Sequence, residues 1–515
     1  VSVNLPAGWD TTGADSSYKY NSPFTGCTKL TEITLPEGMK RVPDYAFKSM
    51  TSLKTINFPE GLTEVGNDSF SGCTELTGVV FPDSLTVINT NAFSGCRGMK
   101  EVVFSSSLQT IGGYAFGGCS GLTEVIFPDS VTVIDRSAFS GCTGLKEAKF
   151  SNSLEIIGES AFYGCTGLLK VTLPETITTI NESVFSGCTA LKEVNLPETL
   201  TAISSYAFNN CTGLTSIDIP DSVKVMDGYA FKDCTNLVSV NLPLGWKMTG
   251  GNSSYRYYSP FDGCKKLTEI TFPEGMIRIP DYAFAYCTFL KKVIMPDSVT
   301  EIGRSAFNGC SGLEKAEFSS SLEIIGDYAF SGCTGLTEVI FPETLTTINS
   351  SAFSGCTGLT EVTFPEALTA IDSSAFSGCT GLKKVTIPET ITAINESVFS
   401  GCTALKEVNL PETLTTICSY AFNKCTELTD IVIPDNVKEI DGYAFNDCTN
   451  LVSVNLPADW ETTGTYSSYR YNSPFTGCTK LTEITLPEGM KRVPAYAFES
   501  MTSLKTINFP EGLTE

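Results

Sequence analysis

The chain contains no histidine in 515 residues. Ser-His-Asp and Cys-His catalysis and every histidine-bearing zinc site are thereby excluded together. Phosphate-cradling and dithiol signatures are missing too: there is no P-loop, no G-x-G-x-x-G after a strand and no C-x-x-C pair. Basic residues are scarce, 34 Lys and Arg against 57 Asp and Glu, and the net charge of −23 argues against nucleic acid and against anionic membrane surfaces. No run of 18 apolar residues exists, so no segment is expected to insert into a membrane. The chain begins at Val1 within one repeat and stops at Glu515 within another, and is expected to be a fragment of a longer chain. No enzyme chemistry, metal or cofactor is expected from this composition.

What is present is a period. Phenylalanine recurs every 23 residues from Phe24 to Phe498, 21 copies in all, broken only by gaps of 30 at Phe231–Phe261 and Phe445–Phe475. A period of this length marks one supersecondary unit stacked on copies of itself, because a single unit cannot bury its apolar face alone. Residues 1–515 are therefore read as one solenoid of about 21 coils, with longer coils at 5–24, 242–261 and 456–475.

One coil shows the logic. In Ala352–Phe376, Leu359, Val362 and Phe364 follow L-x-x-L-x-L spacing, while Glu361 and Thr363 alternate outward as a strand with one buried side requires. Pro365 has no N–H for a ladder and ends the strand. Leu368 and Ile371 are expected to point inward, and Ser373–Ala375 to lead through a short helical or 3₁₀ turn that carries Phe376 into the core. The expectation is an α/β-type repeat solenoid. It has one short strand per coil, stacked as one long parallel sheet of roughly 100 Å at ~4.8 Å per strand, and a thin helical or 3₁₀ wall opposite.

Leu122, Val125, Phe127, Pro128, Val131, Ile134, Ala138, Phe139 and Cys142, with equivalents in almost every coil, resemble the BspA-like (Treponema-type) leucine-rich repeat family of surface proteins. The resemblance covers essentially the whole chain. It implies a cell-surface or secreted protein of host-associated bacteria or parasitic protists, associated with adhesion to host matrix proteins, host cells or other microbes. It supplies no catalytic residues.

Twenty cysteines would ordinarily suggest disulfides, yet nineteen share one column whose two vacancies hold Met50 and Met501. Methionine cannot bridge but fills an apolar site, so the column is read as reduced and buried. Cys418 stands outside it, where the matching coil has Ser204, and is expected to be exposed.

Three surfaces are candidates for binding. The outward strand residues form an acidic column that includes Glu338, Glu361 and Glu407, beside a second column that mixes Thr and Asn with apolar residues. Such a face suits a basic, partly apolar protein. The acid after each proline makes a second ladder, but one carboxylate per coil does not converge on Ca²⁺. The inserts hold all three tryptophans, each followed by a Tyr-basic-Tyr triplet. Trp246 with Tyr255, Arg256, Tyr257 and Tyr258, and Trp460 with Tyr469, Arg470 and Tyr471, read either as recognition loops for a protein or glycan or as plugs folded back on a wider coil. Recognition would require these side chains to be partly exposed. Asn181–Ile203 recurs as Asn395–Ile417 with one change, an offset of 214 residues. Duplication of this kind fits a monomeric, multivalent adhesion module that recognises host or microbial proteins or glycans; a structural spacer is the alternative.

Overall fold

The computed structural model describes Leu5, Pro6, Gly8, Trp9 and residues 22–248, 257–462 and 472–514. Two compact units divide the chain, Val1–Leu267 and Thr268–Glu515.

In the first unit the described residues include ten three-residue strands, from Glu32–Thr34 to Ser239–Asn241, and nine two-residue strands, from Arg41–Val42 to Val225–Met226. The second unit holds eleven of the longer kind, Glu269–Thr271 to Thr506–Asn508, and eight of the shorter, Arg278–Ile279 to Glu439–Ile440. Pairing is parallel and in register across one period: Glu124 faces Glu147, Val125 faces Ala148 and Ile126 faces Lys149. Most coils thus carry two short strands, not one, and the pairing breaks into ladders of two to six strands instead of a single long sheet. The second strand is formed by the L-x-x-I segment, for example Ala370–Ile371, which pairs with Thr347–Ile348.

The opposite wall differs from the helical or 3₁₀ turns expected. Among the described residues there is no helix. Residues 373–378 are a run of turns in which Ser374 and Gly378 adopt φ of 60° and 73°. Alternate N–H groups leave the coil: those of Ser374, Phe376 and Gly378 donate to the carbonyls of Glu396, Val398 and Ser400 in the next coil at 2.9, 3.0 and 2.7 Å. The intervening N–H groups of Ala375 and Ser377 donate three residues back, to Asp372 and Ser374. A helix must spend every N–H within its own segment. This wall spends half of them between coils, so it is a third ladder rather than a row of helical turns.

The core lies between the strands and this wall. In the first unit the period-defining phenylalanines stack at 5.1 Å for Phe47–Phe70 and Phe70–Phe93; in the second, Phe330–Phe353 and Phe353–Phe376 stack at 5.3 Å. The cysteine column runs beside them, and none of the twenty cysteines forms a disulfide. Cys96 Sγ donates to the carbonyl of Phe70 at 3.2 Å, and Cys379 Sγ to that of Phe353 at 3.2 Å, so each thiol ties its coil to the one before.

Candidate functional site

The three-residue strands turn their middle residue inward and present the first and third to solvent: Glu361 and Thr363 are exposed while Val362 is buried. In the first unit the third-position column runs Val80, Val103, Ile126, three exposed β-branched side chains in consecutive coils. Soluble surfaces seldom line up apolar side chains without a use for them. The parallel first-position column carries Glu101, Glu124 and Glu147. In the second unit Glu338 and Glu361 lie side by side in register, with Ile340 73 % exposed beside them.

Charge on this face is partly offset from within. Lys170 Nζ reaches Glu193 at 2.5 Å and Lys384 Nζ reaches Glu407 at 2.6 Å, the same contact in each unit. The bonded ammonium of Lys384 holds the Glu407 carboxyl below its ordinary value, and Lys170 does the same to Glu193. Beside each ion pair an amide bridges coils, Asn195 Nδ2 to Thr172 Oγ1 at 3.1 Å and Asn409 Nδ2 to Thr386 Oγ1 at 3.2 Å. Of the three glutamates predicted from sequence, Glu407 is therefore ion-paired. Glu338 and Glu361 have no ion-pair partner among the described residues.

The tryptophans depart from the exposure expected of recognition loops. Trp246 is 7 % and Trp460 2 % exposed. Each sits seven residues after the first residue of its strand, Ser239 or Ser453, the place that inward-facing Leu368 takes after Glu361. Aligning the coils on their strands, in place of reading the polar residues around each Trp as a loop, would have put the indole in the core. Trp9 shows the packing, with its ring 5.9 Å from Phe24 and 5.8 Å from Phe47. The indole Nε1 atoms of Trp246 and Trp460 are buried without a hydrogen-bond partner among the described residues. Tyr257 and Tyr258 are exposed by 44 % and 38 %, and Tyr258 stacks on Tyr229 at 4.8 Å, which in turn lies tilted against Tyr206 at 5.3 Å. Tyr255, Arg256, Tyr469, Arg470 and Tyr471 lie outside the described residues.

Among the described residues no group of three or more His, Cys, Asp or Glu could hold a metal ion, and no helix is long and apolar enough to cross a membrane.

Parallel strands stacked at a 23-residue period, with Leu, Val and Phe columns facing the core, define a leucine-rich repeat protein. The family model described as "BspA type Leucine rich repeat region (6 copies)" matches residues 19–146, 139–258, 254–383, 371–473 and 468–515, and the chain belongs to that family. Among solved structures it is similar to a leucine-rich repeat protein from Bacteroides ovatus, at 28 % identity over 84 % of this chain and 92 % of that one, with a TM-score of 0.48. A leucine rich cell surface protein from Faecalibacterium prausnitzii is 31 % identical over 68 % of this chain and 83 % of that one, with a TM-score of 0.32. Comparison with curated proteins finds no match.

Proposed function

We propose that this chain is a cell-surface or secreted binding module, adhesive in role and without chemistry of its own, that recognises a host or microbial partner through the strand face. The observation that carries this is the pairing of outward columns: exposed β-branched side chains in consecutive coils next to a column of glutamates. A solvated sheet needs only the charges; the apolar column beside them supplies area that a partner can bury. The BspA-type family implies the surface location. A protein partner fits the acidic and apolar columns, and a glycan fits the exposed rings of Tyr257 and Tyr258. Burial of Trp246 and Trp460 leaves the tryptophans to packing. Reversing the face charge tests the reading, with Glu338, Glu361 and Glu407 replaced together by Lys. Binding of the full chain to host-cell, matrix and bacterial surfaces should fall while the melting temperature stays within a few degrees. Unchanged binding to every surface that the wild type binds would exclude this face. A wild type that binds none of them would favour the spacer reading.

A further inference from the structure

Over the paired strands Glu338–Ile340 and Glu361–Thr363 lies an open groove of about 640 Å³ whose lining includes Glu338, Glu361, Glu343 and the exposed Ile340. The two nearest lysines are committed elsewhere, Lys315 to Glu317 at 2.8 Å and Lys384 to Glu407 at 2.6 Å. Lys315 still acts on Glu338 at longer range, and Lys384 faces Glu361 in register, but neither glutamate is in an ion pair among the described residues. Two adjacent carboxylates beside apolar side chains can accept a further ammonium.

The first unit carries a cation at the equivalent place. Its counterpart lies 214 residues earlier, where Glu124, Ile126 and Glu147 correspond to Glu338, Ile340 and Glu361. Lys149 stands there in place of Thr363, with its Nζ 2.7 Å from Glu124 and 3.6 Å from Glu147. The bond to Glu124 raises the pKa of this ammonium. Lys146 is likewise replaced, by Thr360. One unit therefore fills the paired glutamates with its own lysine, and the other leaves them open.

We infer that the second unit's groove takes a lysine side chain of a protein partner, its ammonium between Glu338 and Glu361 where Lys149 Nζ sits in the first unit, and its methylene stem along Ile340. Charge-assisted hydrogen bonds to two carboxylates favour the ammonium, and the aliphatic stem covers apolar surface as lysine stems do elsewhere. This rests on the strand-face reading and names the group that the face receives.

The test uses the full chain and a short end-capped peptide of alternating leucine and lysine, fluorescently labelled, followed by anisotropy at low ionic strength. Its twin with every lysine acetylated is the control. Wild type should bind the lysine peptide and lose roughly tenfold or more in affinity for the acetylated one, as expected when charge-assisted bonds are removed. Thr363→Lys, which installs the internal ammonium, should weaken binding to a similar degree without lowering the melting temperature. Lys149→Thr should open the first unit's groove and add a second equivalent site. Wild-type affinity in Thr363→Lys, no added site in Lys149→Thr, or equal binding of the acetylated twin would each overturn the proposal. Because the readout is a defined peptide, it separates from adhesion. Adhesion lost on face-charge reversal with no peptide binding sinks this inference alone, and peptide binding without any adhesion sinks the broader reading alone.

Discussion

The carbonyl of Phe70 receives two donors, the N–H of Cys73 in its own coil and the S–H of Cys96 in the next, each at 3.2 Å. The cysteine column is thus both a small apolar filler and a weak hydrogen-bonding ladder. Burial pushes Cys142, Cys188, Cys234 and Cys379 up to about 12. A thiol whose pKa is raised on folding stays protonated in the folded chain after the unfolded chain has begun to ionise, near pH 8.5. The stability it confers is whole below that pH and falls as pH rises toward 12, by up to about 1.4 kcal/mol per unit for each such thiol. Urea unfolding at pH 7.5 and 10 should show a large alkaline loss, which Cys-to-Ala changes in the column reduce. Labelling resolves the individual thiols. Cys27 is exposed and should react first, which sequence reading had reserved for Cys418. Cys418 is half-buried with a pKa raised to about 11 by burial and by Asp441 and Glu439, so it should react slowly. The other eighteen should need unfolding. A count of two native thiols by mass spectrometry checks this, and any disulfide would contradict it. In the phenylalanine stack, Phe353→Ala should cost about 3–5 kcal/mol, measured by urea unfolding.

Much of the coil was legible because its cause is local. Alternation of Glu361, Val362 and Thr363 announces a strand with one buried side, and Pro365 announces its end. The two-residue strand Ala370–Ile371 was not legible. Two residues leave no alternation to read, and its pairing with Thr347–Ile348 comes only from stacking. The wall was misread for a different reason. Its left-handed positions are held by Gly378 in one place and by Ser374 in the other, and serine gives no sign that φ will be 60°. Elsewhere the glycine column accepts Lys424 at φ 57° and Tyr286 at φ 62°, residues for which this conformation costs about 1–2 kcal/mol. Lys424→Gly should therefore stabilise the second unit by roughly 1 kcal/mol, less what glycine gains in the unfolded chain. Denaturant midpoints of the two proteins decide it; a clear destabilisation would mean that Lys424 makes contacts worth more than its strain.

Across the molecule, carboxylates repeat at the strand spacing. Glu101, Glu124 and Glu147 follow one another in the first unit, and Glu338 and Glu361 in the second. Like charges about 5 Å apart at a wet surface repel, and salt screens them over about 8–10 Å. Stability should rise between low and physiological ionic strength, and Ca²⁺ should act no differently from Mg²⁺ at equal ionic strength in a thermal melt. The proposed groove was half legible. Glu338 and Glu361 follow from the period, but the difference that leaves them unpaired emerges only when Thr363 is set against Lys149 and its ion pairs. Burial of the tryptophans, conversely, was one of two readings, and the polar residues around them left the choice open. The two classes of side chain make opposite predictions, and one paired experiment separates them. Trp246→Ala with Trp460→Ala should lower the melting temperature by several degrees, as emptying core aromatic sites does, and leave surface binding of the refolded chain intact. Lysine at Glu338, Glu361 and Glu407 should abolish binding at nearly unchanged melting temperature. The reverse pattern, binding lost with the tryptophans and kept with the reversed charges, would contradict the assignment of function to the strand face.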